Sequence, residues 1–195
     1  MKSSKLAILL ALLAGAVTPV LAAPMTYSFD PNHSFVRFGY GHFGFSHQQS
    51  RFDKVTGSVI YDAAAKTGSA DVTIDIHSVD SGSTLFNGHL QSPMWFDAAK
   101  FPTATFKSTK LRFRGDTPVA LEGDLTIKGV THPITLKITN FKVGELMKRQ
   151  HLGADATAII KRSDYGLGNL APMVDDNVVL TVNFEANAGP PPTAG

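Results

Sequence analysis

From Thr26 onward the side chains alternate between apolar and polar with a period of two, segment after segment, and over those segments the pattern admits strands rather than amphipathic helices. Ala70, Val72, Ile74 and Ile76 stand against Asp71, Thr73, Asp75 and His77, which describes a half-buried strand. Val119, Leu121, Gly123, Leu125 and Ile127 alternate in the same way with Ala120, Glu122, Asp124, Thr126 and Lys128. After a turn placed at Gly129 to His132, Ile134, Leu136 and Ile138 continue the pattern, so the two segments are expected to form a hairpin.

Further strands are expected at Thr26 to Phe29, Ser34 to Tyr40, Lys54 to Tyr61, Ala104 to Phe113, Leu152 to Ile160 and Val178 to Ala186. About eight or nine short strands at regular spacing make an all-β barrel or sandwich. Ser83 to Lys100 breaks the period: Leu85, Leu90, Trp95 and Phe96 sit among polar residues in a helical or irregular arrangement, which reads as a cap over one end of the sheet. An eight-stranded barrel has an interior that side chains can fill or that can hold one small ligand. Ala154, Ala156 and Ala158 at inward positions, and Gly123 in mid-strand, suggest room; a solid core with small residues opposite large phenylalanines fits the same pattern.

Residues 1–22 differ in usage from the rest. Lys2 and Lys5 precede an apolar run from Leu6 to Val17, and Val20, Leu21 and Ala22 supply compact residues at a cleavage site, the layout of a secretory signal peptide. The run is short of the about 20 residues that a membrane span requires. Export to the periplasm with cleavage near Ala22 is therefore expected, leaving one domain over 23–186 and a disordered, proline-rich tail over 187–195. Loss of the two lysines takes the formal charge from +2 to zero, so no basic surface is expected for nucleic acid or an anionic membrane. Stable membrane insertion is not expected either, and a homodimer stays open. The absence of cysteine excludes disulfides, thiol catalysis and cysteine-based metal sites.

Several motifs yield to plainer explanations. Gly39, Gly41 and Gly44 match G-x-G-x-x-G, but no helix pattern follows and no alternating strand and helix units exist to bind a dinucleotide; glycines relieving crowding at a bend fit better. His33, His42 and His47 are close in sequence without HExxH or a further ligand set, so no metal is expected. Asp30, His33 and Ser34 belong to a turn begun by Asp30-Pro31-Asn32, and no G-x-S-x-G elbow is present, so no catalytic residues or cofactor are assigned. Arg162, beside Asp164 and Tyr165, is expected to pair locally or cap a barrel end; contact with a polar lipid head is the sharper alternative.

The chain resembles the YceI-like family of periplasmic polyisoprenoid-binding proteins. The resemblance is carried by Tyr27 to Ser34, His42-Phe43-Gly44, His89-Leu90, Trp95-Phe96-Asp97, Phe101-Pro102 and Thr105 to Ser108. It continues through Gly123 to Thr131 with Pro133, and Arg162 to Gly166. It implies a single antiparallel, lipocalin-like eight-stranded β-barrel with a short helical cap, a long apolar cavity, no enzyme activity and no metal. The sequence departs from the family at Asn87 and Met94, where aspartate is frequent, and at Gln91, where a basic residue is frequent, so the cap is expected to be more apolar.

A lipid tail in water costs about 0.8 kcal/mol per methylene, so about ten methylenes cost about 8 kcal/mol and free diffusion across an aqueous space becomes negligible. The expected ligand is accordingly a long-chain isoprenoid or fatty lipid. The residues expected to contact it, chosen for bulk and inward direction, are Phe38, Tyr40, Phe43, Phe52, Leu85, Leu90, Trp95, Phe96, Phe101 and Phe106. A stress-response interaction protein and a small-molecule enzyme on the same barrel are the rival readings; the first requires an exposed apolar patch, the second inward titratable groups.

Overall fold

The structure is a computed structural model that describes residues 23–189. The expected signal peptide and the end of the tail lie outside the described residues. In chain order the elements are β1 (Met25–Phe29), β2 (Phe35–His42), β3 (Ser46–Phe52), β4 (Val55–Asp62), β5 (Thr67–Asp75), β6 (Val79–Asp80), α1 (Thr84–Gln91), β7 (Thr103–Arg114), β8 (Thr117–Ile127), β9 (Val130–Leu146), β10 (Arg149–Lys161) and β11 (Asn177–Ala188).

All the strands belong to one antiparallel sheet. β1 pairs with both β4 and β11, closing a ring through β5, β7, β8, β9 and β10. The remaining strands extend that ring. β2 pairs with β11 from Val179 to Asn183 while β1 pairs with it from Ala186 to Ala188, so β1 and β2 are two halves of one bent stave. β3 lies on β2 as β4 lies on β1, and β6 lies on β3 as β5 lies on β4. The outcome is a closed eight-stave barrel with three staves bent, capped by one helix.

Each bend keeps its backbone bonded. At the Asp30-Pro31-Asn32 turn, the Asp30 N–H donates to the Glu185 carbonyl and the Glu185 N–H to the His33 carbonyl. At Asp53-Lys54, the Asp53 N–H donates to the Ser78 carbonyl, and the Asp75 N–H donates to that of Lys54. These links matter because an unpaired buried backbone group costs about as much as a lost hydrogen bond.

Alternation sets the inward face. Ala70, Ile74, Leu125, Leu136, Leu152, Ala154 and Ala156 are buried, whereas Asp71, Asp124 and Lys137 face water. Tyr27, Leu152 and Ala186 anchor the core where β1, β10 and β11 meet, with Ala186 fully buried. The helix begins at Ser83, whose Oγ accepts the Phe86 N–H, and carries Leu90 into the barrel end. There Phe38, Phe52 and Phe96 form an aromatic triangle with centroids 5.4, 5.5 and 5.9 Å apart.

The strand expected to run through Ile76 and His77 ends at Asp75, whose carboxylate accepts the His77 N–H as Ile76–Ser78 form a 3-10 turn, and further features differ from the sequence expectation. Ser46–Phe52 is a strand, β3, where none was expected. The turn expected at Gly129 to His132 is the two-residue Lys128-Gly129 turn with φ of 52° and 77°, and β9 resumes at Val130. β9 and β10 run on to a second tight turn at Met147-Lys148, well past the segments that alternation marks. Asn187 and Ala188, placed in the tail, continue β11: Asn187 pairs with His151 and Ser28, and Ala188 with Tyr27.

Candidate functional site

Three apolar spaces follow one another inside the barrel. The first, of about 170 Å³, lies under α1 and is lined by Phe38, Tyr40, Phe52, Leu90, Trp95 and Phe96 together with residues of β10, β11 and the loop between them. A second, of about 80 Å³, has only apolar side chains around it, among them Ile74, Ile76, Ala104 and Phe106. The third, also of about 80 Å³, is bounded by Phe29, Val59, Tyr61, Phe141, Ala154 and Ala156 toward the other end. Phe52, Phe96, Ile127 and Leu180 border both the first and the second; Val36, Val72, Phe106, Leu136 and Val182 border both the second and the third. The spaces therefore form a series separated by single layers of side chains.

Seven of the ten residues expected from sequence line these spaces: Phe38, Tyr40, Phe52, Leu90, Trp95, Phe96 and Phe106. The other three do not point inward. Phe43 stands at the rim, 41 % exposed and edge-on to His42. Leu85 is 87 % exposed on the outer side of α1, because Phe86 and Leu90 take the inward side of that short helix. Phe101 packs on the β8–β9 turn, where a Cβ at Gly129 would come within 2.9 Å of its ring. Sequence reasoning missed Phe86, Leu167, Leu170 and Val174, which come from the helix and an irregular loop and carry no period that could have marked them.

Gly123 does not make room for a ligand. A Cβ there would lie 2.5 Å from Phe106 Cζ and 2.6 Å from the Lys107 carbonyl, so the glycine admits the Phe106 ring against the strand. Ala154 and Ala156 do border open space, while Ala158 is half-buried against the core.

Polar groups gather at the mouth of the first space: Tyr40, His42, His89 and Arg162. Trp95 Nε1–H donates to His89 Nε2 at 2.8 Å. Burial pushes the Tyr40 phenol up from its ordinary range, opposed by the nearby Arg162 cation. Arg162 itself is 6 % exposed and has its guanidinium 5.6 Å from the centroid of Trp95. It donates to four backbone carbonyls, those of Leu167, Asn169, Val174 and Asp175. Arg162 thus spends four of its five N–H donors on fastening the loop from Gly166 to Asp176, and the expected pairing with Asp164 is replaced by this carbonyl set. Burial draws its pKa down, and the Asp176 and Asp175 carboxylates oppose that.

The motifs set aside in the sequence have structural explanations. A Cβ at Gly41 would lie 2.4 Å from a carboxylate oxygen of Asp175, and Gly44, at φ 72°, turns β2 into β3. His33 Nδ1 meets Asp30 Oδ2 at 2.9 Å outside the barrel, while Ser34 Oγ donates to the Glu185 carbonyl rather than to the imidazole. Among the described residues no group of three or more His, Asp or Glu is placed to hold a metal ion. In the cap, Asn87 Oδ1 accepts from the Ser81 backbone and hydroxyl, and the Gln91 amide meets His77, so two of the departures noted in sequence still make polar contacts.

A closed eight-stave antiparallel barrel with one capping helix and an apolar interior defines a lipocalin-like barrel protein. The profile of the YceI-like domain matches residues 27–186, and the chain belongs to the YceI-like family. It is 32 % identical over 153 residues to a UPF0312 protein of Vibrio cholerae, covering 76 % of this chain and 81 % of that one. A UPF0312 protein of Pseudomonas aeruginosa is 34 % identical over 151 residues, 75 % and 78 % of the two chains. Among solved structures, Burkholderia cenocepacia BcnA superposes with a TM-score of 0.67 at 29 % identity over 78 % of this chain and 96 % of that one. A polyisoprenoid binding domain from Saccharophagus degradans, implicated in plant cell wall breakdown, shares the fold with a TM-score of 0.66 at 23 % identity, covering 85 % and 99 %.

Proposed function

We propose that the protein is a non-enzymatic carrier that encloses the hydrocarbon chain of a long isoprenoid or fatty lipid and, once exported, holds it in the periplasm. The observation that carries this is the series of apolar spaces sharing their walls along the barrel. Phe52 and Phe96 stand between the first space and the second, and Phe106 between the second and the third, so rotation of these rings would join the spaces into an extended slot that suits a chain rather than a compact molecule. Transfer of each methylene from water into that slot gains about 0.8 kcal/mol. Of the four titratable groups that border the first space, His89 accepts from Trp95 and Arg162 fastens a loop, while Tyr40 and His42 stand at the mouth. The use of the same fold for a polyisoprenoid binding domain in Saccharophagus degradans supports the choice of ligand.

Organic extraction of the protein purified from its native compartment, followed by mass spectrometry, tests the proposal. A stoichiometric long-chain lipid is expected. Recovery of none, or of a small polar metabolite, overturns it.

A further inference from the structure

Six large apolar side chains stand in water around the mouth of the first space. Phe43 and Phe45 lie on the β2–β3 turn, Leu85 on α1, Met94 just beyond it, and Leu170 and Met173 on the loop between β10 and β11. Phe45 is 92 % and Leu85 87 % exposed. The three segments form one rim: the Phe43 N–H donates to the Met173 carbonyl at 2.7 Å, Asn169 Nδ2 donates to that of Met94 at 2.6 Å, and Leu170 borders the space itself.

The sequence of this rim is as distinctive as its shape. Residues 38–50, 81–96 and 165–174 contain no Lys, Arg, Asp or Glu, in a chain where 17 % of residues are charged. The exposed Leu146 and Met147 at the β9–β10 turn have the opposite setting, with Lys142, Glu145, Lys148 and Arg149 close by in sequence. Charged groups are costly to move out of water, whereas Phe, Leu and Met are stabilised by leaving it.

We propose that this uncharged collar docks on the surface of a lipid bilayer, seating the mouth of the barrel against the membrane so that lipid passes between bilayer and cavity without crossing water. The inference rests on the lipid-carrier reading. An opening at the centre of the patch favours a bilayer over a protein partner, since whatever covers the collar also supplies or receives what goes through it. The rim segments carry no charge of their own, and the cations set against them are bonded to backbone carbonyls, Lys128 to that of Pro93 and Arg162 to those of its loop. Docking is therefore driven by apolar insertion rather than attraction to anionic head groups, and zwitterionic lipid suffices.

The test is flotation of the purified protein with phosphatidylcholine vesicles, in low and high salt, beside the triple variant Phe45→Ser/Leu85→Ser/Met173→Ser. None of these side chains lines the internal spaces. The unmodified protein is expected to float with the vesicles at both salt levels, and the variant to lose at least about tenfold in partition. Binding of farnesol in solution, followed by Trp95 emission, is expected to be the same in both proteins, while uptake of a fluorescent prenol from vesicles slows in the variant. Equal partition of variant and parent, absence of flotation by the parent, or flotation only on anionic vesicles in low salt overturns docking through the collar. Vesicle-free dimerisation that the variant abolishes also overturns it, by making the collar a contact between copies. Failure of both proteins to bind farnesol, with flotation still dependent on the collar, removes the carrier reading and leaves the docking surface standing.

Discussion

Trp95 donates its indole N–H to His89 Nε2 across 2.8 Å at the mouth of the first cavity, and it is the single tryptophan of the chain. The pair fixes the ring that stands between solvent and the apolar interior. A hydrocarbon chain entering there displaces water from the indole, so titration with farnesol is expected to move the emission to shorter wavelength saturably. Emission unchanged across the titration would mean that ligand does not reach this space.

Arg162 holds the loop that forms one wall of the same mouth. Lysine keeps the charge but has three donors on a flexible stem in place of a planar fork. Hydrogen bonds involving a charged group contribute about 1.5–3 kcal/mol each, so Arg162→Lys is expected to lower stability in urea unfolding by about 3 kcal/mol. A loss under about 1 kcal/mol would show that the carbonyl set is not held by the guanidinium.

Tyr165, on the short 3-10 turn after β10, is 1 % exposed, and its hydroxyl has no hydrogen-bond partner among the described residues. Burial, with Asp164 adding to it, pushes the phenol up to about 12. A buried donor left unsatisfied costs about 1–3 kcal/mol, so Tyr165→Phe is expected to leave stability unchanged or raise it by about 1 kcal/mol. Destabilisation in thermal unfolding would reveal a partner such as a buried water.

The parts of the barrel that were legible in the sequence are those where one face meets the core and the other meets water. β3 escaped because Ser46, His47, Gln48 and Gln49 are all exposed and only Ser50 and Phe52 turn inward, so no alternation is written there. The outer part of β9 escaped for a related reason: Lys142, Val143, Glu145 and Leu146 reach beyond the packed interior. Bulk pointed to the aromatic lining on β2, β3 and the cap, but bulk does not give direction, which is why Leu85 faces water and Phe101 packs on the β8–β9 turn. Gly123 was legible as a gap; that Phe106 fills it depends on the neighbouring strand. The role of Arg162 depends on carbonyls, which every residue carries and no sequence pattern marks.

The Asp30–His33 pair gives the barrel a pH-dependent contact at its first bend. The hydrogen bond from His33 holds the Asp30 carboxyl below its ordinary range, and the same bond raises the His33 imidazole. The stabilisation from His33 is complete below its unfolded value of about 6.5 and is lost as pH rises through the higher folded value. The stabilisation from Asp30 is complete above about 3.8 and is lost as pH falls through the lower folded value. The pair therefore contributes fully from about pH 4 to about pH 6.5. In an NMR titration, Asp30→Asn is expected to bring the His33 midpoint down toward the ordinary histidine value, and an unmoved midpoint would dissociate the two groups.

Ala156 offers the sharpest separation of an open interior from a solid one. It lies on β10 opposite Val182 and Ile138, faces inward, and borders the third space together with Ala154. In a filled core, Ala156→Phe would force neighbouring side chains off their rotamers at a cost of about 1–3 kcal/mol or more. Facing open space, the ring instead occupies volume that a lipid chain would take, and the expected loss of stability stays below that range. The variant should therefore remain folded, with an unchanged circular dichroism spectrum, and purify without the lipid that extraction recovers from the parent. Thr157→Phe adds the same bulk one residue along, on the other face of the strand, and is expected to retain the lipid. A strongly destabilised Ala156→Phe, together with no lipid from the parent, would make the interior a packed core and remove the carrier function.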